Sequence, residues 1–429
     1  MKKLVIFGAI IALFSSCSQE NGELIGVQGR EMFYQPVPYG MLLIPQGSYT
    51  MGNSDEDISN STVTQTKVVS VAAFYMDQTE ISNNEYRQFV YWVKDSIARK
   101  ILGEEVSEDY LNTVNAYGED IEPPTINWDM KFQWNGEEER EALEVMYLPD
   151  YERFYGRKEI DTRKLMFEYS WIDWQAAAAR KNREQGKIDR SVFIKKDIIN
   201  VYPDTLAWVH DFTYSFNEPL TNAYFWHPSY DDYPLVGVSW KQARAFSIWR
   251  SELLNNYLDQ RGMTTVQYFR LPTESEWEWA ARGGLDNNQY PWGGPYIRNT
   301  KGCFLGNFKP LRGNYVDDGG LTTVAVNAYN PNDYGLFCMA GNVAEWTSNA
   351  FDEASFNFAH DLNMDYVYDA KESDPPSLKR KVIRGGSWKD VSYYLMNGTR
   401  TYEYQDTAKC YIGFRNVMSY LGRGTNDQL

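Results

Sequence analysis

The sequence predicts a domain of short strands and a few capped helices with much irregular structure, interrupted by a long, partly helical insertion. Three observations carry that expectation. Helical periodicity is confined to a few segments with clear caps, and the strands between them are short. With 31 Gly and 17 Pro spread along 429 residues, the chain must turn often. The character of the sequence also changes between Lys94 and Tyr233. There, mixed-charge helical patterns and an aromatic, loop-rich part replace the compact motifs on either side.

Taken in order, Met41–Met51 reads as a first strand pair turning at Pro45–Gly47, and Val68–Tyr75 alternates as a strand should. Asp77–Val93 has a helix pattern: Ser82 as N-cap, Glu85 three residues on, and Tyr86, Phe89, Val90 and Val93 on one face. Within the insertion, Glu137–Val145 and Arg163–Arg183 read as helical, and Tyr202–Tyr233 as aromatic loops. The exposed charge and the aromatic stripe of Trp171 and Trp174 fit either a solvated face over a core or an interaction surface. Pro234–Ile248 reads as a strand running into a helix. Val382–Trp388 reads as a strand ending in glycines, and Tyr411–Val417 closes the core.

Arg270–Gly284, RLPTESEWEWAARGG, is the best-specified stretch. Pro272 stops a strand. Thr273 and Glu276 can close a capping box, and Glu274 and Glu276 suit the positive end of the helix dipole. Trp277, Ala280 and Ala281 share a face, and Gly283-Gly284 ends the helix.

The first residues read as an address. Lys2 and Lys3 precede an apolar run from Leu4 to Phe14, a secretory signal over residues 1–16 too short for a durable transmembrane helix. Phe14-Ser15-Ser16-Cys17 resembles a bacterial lipobox, with Phe14 in place of the usual leucine. The resemblance implies lipidation of Cys17, and Ser18 after it argues against retention in an inner membrane. The polar stretch from Ser18 opens a tether reaching to about residue 40. The main domain is expected over residues 41–420, with the insertion at 94–233 and a tail over 421–429.

Composition excludes several classes. The formal charge is −16; removal of Lys2 and Lys3 leaves 40 basic against 58 acidic side chains, or −18. Such a surface repels phosphate backbones, so nucleic acid is excluded as a partner. Apart from Cys17 there are three cysteines, Cys303, Cys338 and Cys410, and three histidines, His210, His227 and His360. With no CxxC and no paired histidines, zinc and haem sites have little to build on.

Five pieces stand in order: PLVGVSWKQARAF, RLPTESEWEWAARGG, YPWGG, NDYGLFCMAGNVAEW with RGGSW, and GFR. With MLLIPQGSYTMG and TEISNNEYRQF they resemble the formylglycine-generating enzyme (sulfatase-modifying factor) family. The resemblance implies that family's irregular α+β, C-type-lectin-like fold. The insertion sharpens it. YRQFVYWVKDSIARKIL, YERFYGRKEIDTRKL, RSVFIKKDIINVYPDTLAW and GELIGVQGR resemble the GldK (PorK) family of gliding-motility lipoproteins, with the GldJ family as neighbour. That likeness implies an outer-membrane lipoprotein facing the periplasm. There it would form a ring with a GldN/PorN-type partner and meet other type IX secretion components, homo-oligomeric within the ring.

The enzymes of the first family use two cysteines to bind copper and activate oxygen. The matching positions here are Asp390 and Leu395, and neither supplies the thiolate Cu(I) prefers. The expectation is therefore a protein without that catalysis and without a catalytic cofactor. Structural calcium is a separate expectation. The family's first calcium site maps onto the side chains of Asn307 and Asp318 and the carbonyls of Phe308 and Gly320, with Asp317 able to replace Asp318. A weaker second site maps onto position 338, here Cys338, the carbonyls of Gly341 and Val343, and Glu345. The alternative for Asn307 and Asp318 is loop capping through side-chain hydrogen bonds. Three functions follow from these readings: a lipid-anchored ring subunit, a lectin-like glycan or peptidoglycan binder, and, disfavoured, a residual oxidase. For a ring, the mixed patches Arg153–Lys164 and Arg180–Arg190 are candidate contacts.

Overall fold

The computed structural model describes residues 33–52, 66–115, 117–184, 189–212, 219–311, 316 and 319–425. The leader, Cys17, the start of the tether, Asp317 and Asp318 lie outside them.

The first strand, β1 (Met41–Ile44), is followed after Pro45-Gln46 by β2 (Gly47–Met51), but the two do not pair. β2 pairs with β3 (Lys67–Val71), and β1 with β4 (Phe74–Asp77), so the predicted single strand Val68–Tyr75 is two strands in two sheets. A side chain from far along the sequence forces this. The Trp279 indole donates to the Pro45 carbonyl at 2.8 Å, and a Cβ on Gly47 would come within 2.4 Å of its ring. The indole wedges open the corner that a hairpin would have closed.

Helix α1 (Asn83–Glu105) starts at Ser82 with the predicted capping box and runs beyond Val93 for three more turns. The expected helix at Arg163–Arg183 is instead strand β7 (Met166–Ile172) followed by two five-residue helical turns. It comes after the hairpin of β5 (Leu111–Val114) with β6 (Asp120–Ile126). β7 pairs with β8 (Ile194–Asn200). The period-two alternation of Phe167, Tyr169 and Trp171 overrides the charged and alanine-rich flank, because those rings have a core to meet. Phe167 lies edge-on to Phe89 at 5.2 Å, and Phe89 packs on Trp249 at 5.1 Å. The predicted helix at Glu137 ends at Ala142 in a 3-10 turn. The insertion is thus one wall of the main core on its inner face.

No strand forms at Pro234; the segment makes a single bridge to Ser82 and enters α2 (Trp240–Gln260) through a capping box at Ser239. α3 (Glu274–Arg282) follows, with its box at Thr273 and Gly283 as left-handed cap. The C-terminal third forms a sheet of order β11-β10-β9-β12. Its strands are β9 (Ala344–Ala350), β10 (Arg380–Arg384), β11 (Thr401–Tyr404) and β12 (Ile412–Gly413), with β12 parallel to β9. β13 (Val417–Ser419) completes a three-stranded sheet, β1-β4-β13. Short strands, two long helices, the nine-residue α3 and extensive loops make the expected α+β architecture.

Candidate functional site

Every residue of α3 is buried, polar ones included. Its carboxylates are paired with arginines brought from elsewhere. Glu274 takes both Nε (2.6 Å) and a terminal nitrogen (3.0 Å) of Arg400. Glu278 takes Arg282 from one turn on, Arg384 from β10, and the Gly52 amide. Trp277 donates to Glu345 at 2.7 Å, and Arg415 grips both oxygens of the same carboxylate at 2.7 and 2.6 Å. The stretch ESEWEW is therefore the hub of a buried ionic network, which links it to VIRGG, to Arg400 and to the terminal GFR.

Beside this hub the loop motifs converge. The Gly341 amide bonds the Gly385 carbonyl at 2.9 Å, the Asn342 amide bonds that of Asn307 at 2.8 Å, and the Trp388 amide bonds that of Asn342 at 2.9 Å. Gly341 has φ +84° and stands so close to Asn307 that a Cβ would meet its carbonyl oxygen at 2.4 Å. Only glycine fits there. The Lys309 amide bonds the Asp390 carbonyl at 2.8 Å. So Asn307, Asn342, the RGGSW turn and Asp390 form one neighbourhood.

Both thiol-replacing positions lie in it. Asp390 accepts the Ser387 hydroxyl at 2.6 Å, and burial raises its pKa. Leu395 is fully buried with Tyr290, Phe304 and Phe308. The insertion covers the same turn. Trp208 and Phe212 stack with Trp388, centroids 6.2 and 6.1 Å away, and Asp211 bonds both Lys389 and the Cys410 thiol. Burial pushes the pKa of Cys410 and of Cys338 well up, so neither is poised as a thiolate.

The calcium candidates divide. Asn307 is buried and its amide donates to the Thr322 carbonyl at 2.7 Å, while its oxygen faces Gly319. Phe308 is buried and Gly320 is half-buried on the same loop. Asp317 and Asp318, the side chains that would complete this candidate site, lie outside the described residues. Glu345 fits a cation poorly, because Arg415 and Trp277 already occupy its oxygens. Asn342 bonds the Glu80 side chain as well as the Val324 backbone. Among the described residues, no three His, Cys, Asp or Glu side chains cluster to hold a metal.

Glu80 escaped the sequence reading. It is fully buried, accepting from Asn342 (2.7 Å) and the Val343 amide (3.2 Å). Burial, and then the neighbouring Glu345, raise its pKa well above the usual carboxylate range. Above the unfolded-chain value near 4.3, the unfolded state releases this proton while the fold retains it, so stability falls as pH rises. Glu80→Gln should flatten that decline between about pH 5 and 8. Urea midpoints at both pH values check it; an unchanged slope refutes a protonated Glu80.

The chain matches the sulfatase-modifying factor enzyme 1-like domain over residues 30–420. It belongs to the sulfatase-modifying factor family. Two bovine relatives show its range. The inactive C-alpha-formylglycine-generating enzyme 2 is 35% identical over 190 residues, covering 43% of this chain and 50% of that protein. The formylglycine-generating enzyme is 25% identical over 398 residues, covering 90% and 76%. Thus the family contains both active and inactive members, and the chain spans about half the length of the first of these relatives. Among solved structures, PvdO from Pseudomonas aeruginosa is similar over 89% of this chain and 94% of its own, at 14% identity and TM-score 0.46. The family membership accounts for the order of motifs and for their convergence around Asn307 and RGGSW.

Proposed function

We propose that this family member is a non-catalytic structural lipoprotein of the type IX secretion and gliding-motility machinery. It is anchored through Cys17 at the periplasmic face of the outer membrane and assembles into a ring with a GldN/PorN-type partner. The observation that carries the non-catalytic part is the pair Asp390 and Leu395. A hydroxyl-bonded carboxylate and a core leucine stand where copper chemistry needs two thiolates. The assembly part is supported by the GldK-like insertion and the lipobox-like Cys17. Structural calcium belongs to the same reading, held by Asn307 and Asp318 with the carbonyls of Phe308 and Gly320.

Affinity isolation from solubilised outer membrane should bring down the ring partner, and the purified protein should leave the cysteine of a sulfatase-type peptide unmodified under oxygen and copper. Oxygen-dependent conversion of that cysteine overturns the non-catalytic reading. Recovery on peptidoglycan with no protein partner replaces the ring role by a lectin-like one. Calorimetric titration with calcium should show binding that Asp318→Ala weakens by tenfold or more, roughly the loss of one charged ligand. No heat and no shift in melting sink the cation site.

A further inference from the structure

The insertion separates its charge into two lobes. Between Glu104 and Glu144, thirteen carboxylates stand against only Lys131 and Arg140, and twelve of the thirteen residues are exposed. They run from the end of α1 over the β5–β6 hairpin to the Glu137–Ala142 helix and the turn after it. This lobe is tied to the C-terminal end of α1 by a small cluster including Ala98, Leu102, Tyr110 and Leu143. Among the described residues, only Glu144 of the thirteen is in an ion pair, with Arg153 and Lys158.

The tip joining β7 to β8 is the opposite. Lys181, Arg190 and Lys195 are exposed there and make no ion pair among the described residues, while the carboxylates of Asp173 and Asp189 cap the backbone at Ala176 and Ser191. In the same connection Trp174 is 69% exposed, Val192 53% and Ile194 49%. Exposed apolar side chains flanked by unpaired charge have the composition of a protein interface. The other mixed patch, Arg153–Lys164, is different: Arg153, Lys158, Arg163 and Lys164 all pair with carboxylates of their own neighbourhood. Of its five bases only Arg157 makes no ion pair among the described residues.

We propose that the basic, tryptophan-bearing tip of one copy docks on the acidic β5–β6 lobe of a second copy. The complementarity lies within one sequence but is not consumed within one molecule. No ion pair joins the tip to the lobe among the described residues, and the two sit on different parts of α1: the hairpin on Phe89 and Trp92, the lobe on Ala98 and Leu102. Two unlike patches on identical subunits give a head-to-tail contact, which closes into a ring or runs on as a filament. Such a contact also solves the problem of net charge. Copies at −18 without the leader repel at long range, so an ordered contact needs local opposite charge. The inference rests on the assembly role proposed above and names the surface that serves it.

The test uses the full-length lipidated protein in detergent micelles, followed by sedimentation velocity. The wild type should self-associate at about 0.05 M salt and weaken at about 0.5 M, where screening shortens to a few ångströms. A tip variant (Lys181→Glu, Arg190→Glu, Lys195→Glu) and a lobe variant (Glu137→Lys, Glu138→Lys, Glu141→Lys) should each lose self-association by tenfold or more, with unchanged melting. Mixed together, they should recover it, because each reversed patch now faces its opposite on the other variant. A monomeric wild type, variants that associate as wild type does, or a mixture that stays dissociated overturns the contact. A wild type that self-associates as described yet never brings down a secretion partner overturns the proposed function and leaves this contact standing.

Discussion

Glu278→Ala is expected to cost about 3–5 kcal/mol of folding stability, the range for breaking a buried ion pair from one side. Glu278 and Arg384 are both without solvent exposure, and Arg282 is nearly so. The carboxylate also holds the Gly52 amide. Removing it leaves Arg282 without a carboxylate, Arg384 with only Glu274 at 3.6 Å, and the Gly52 amide without its acceptor, in a site water does not reach. The size of the effect comes from what is left behind. A pair replaced on both sides, as in Glu278→Met with Arg384→Met, should therefore lose much less than the single variant, although Arg282 still loses its partner. Urea denaturation of the two variants decides the matter; a single-variant loss under about 1 kcal/mol would show that the network relaxes onto water.

Trp277→Ala should be of the same order, about 3–5 kcal/mol, for a different reason. The indole is 1% exposed and its ring lies on Gly385, where a Cβ would be 3.0 Å away. Truncation leaves a cavity between α3 and the RGGSW turn and takes a donor from Glu345. Trp277→Phe separates the two effects. It keeps most of the ring but leaves the Glu345 lone pair unmet, so its cost should be nearer 1–3 kcal/mol. Equal losses for both substitutions would mean that the hydrogen bond, not the packing, dominates.

These residues show where the sequence was readable. The capping boxes at Ser82 and Thr273 depend on residues three apart, and both form as the spacing implied. The motif order placed the fold because each motif keeps its own turn chemistry. What failed was pairing. Met41–Met51 contains two good strands, but their partners were set by Trp279, more than two hundred residues away. Met166–Ile172 alternates plainly, yet its charged flanks outweighed seven residues until Phe89 and Trp249 supplied a surface for its rings.

The candidate site divides in the same way. Asp390 and Leu395 were legible as replacements because their identity alone removes two thiols. The sequence by itself determined the family and the capped helices, since each depends on residue type at short spacing, and it put Asp390 and Leu395 at the positions the resemblance matches to two cysteines. Only the tertiary structure decided that Glu274, Glu278 and Glu345 are core ion-pair partners and that Glu80 is buried among them. It also decided that the insertion packs one face inward while presenting opposite charges at two lobes. A carboxylate carries no local mark of burial. Its environment is set by arginines and indoles up to 126 residues along the chain for Glu274 alone, and folding brings them to it.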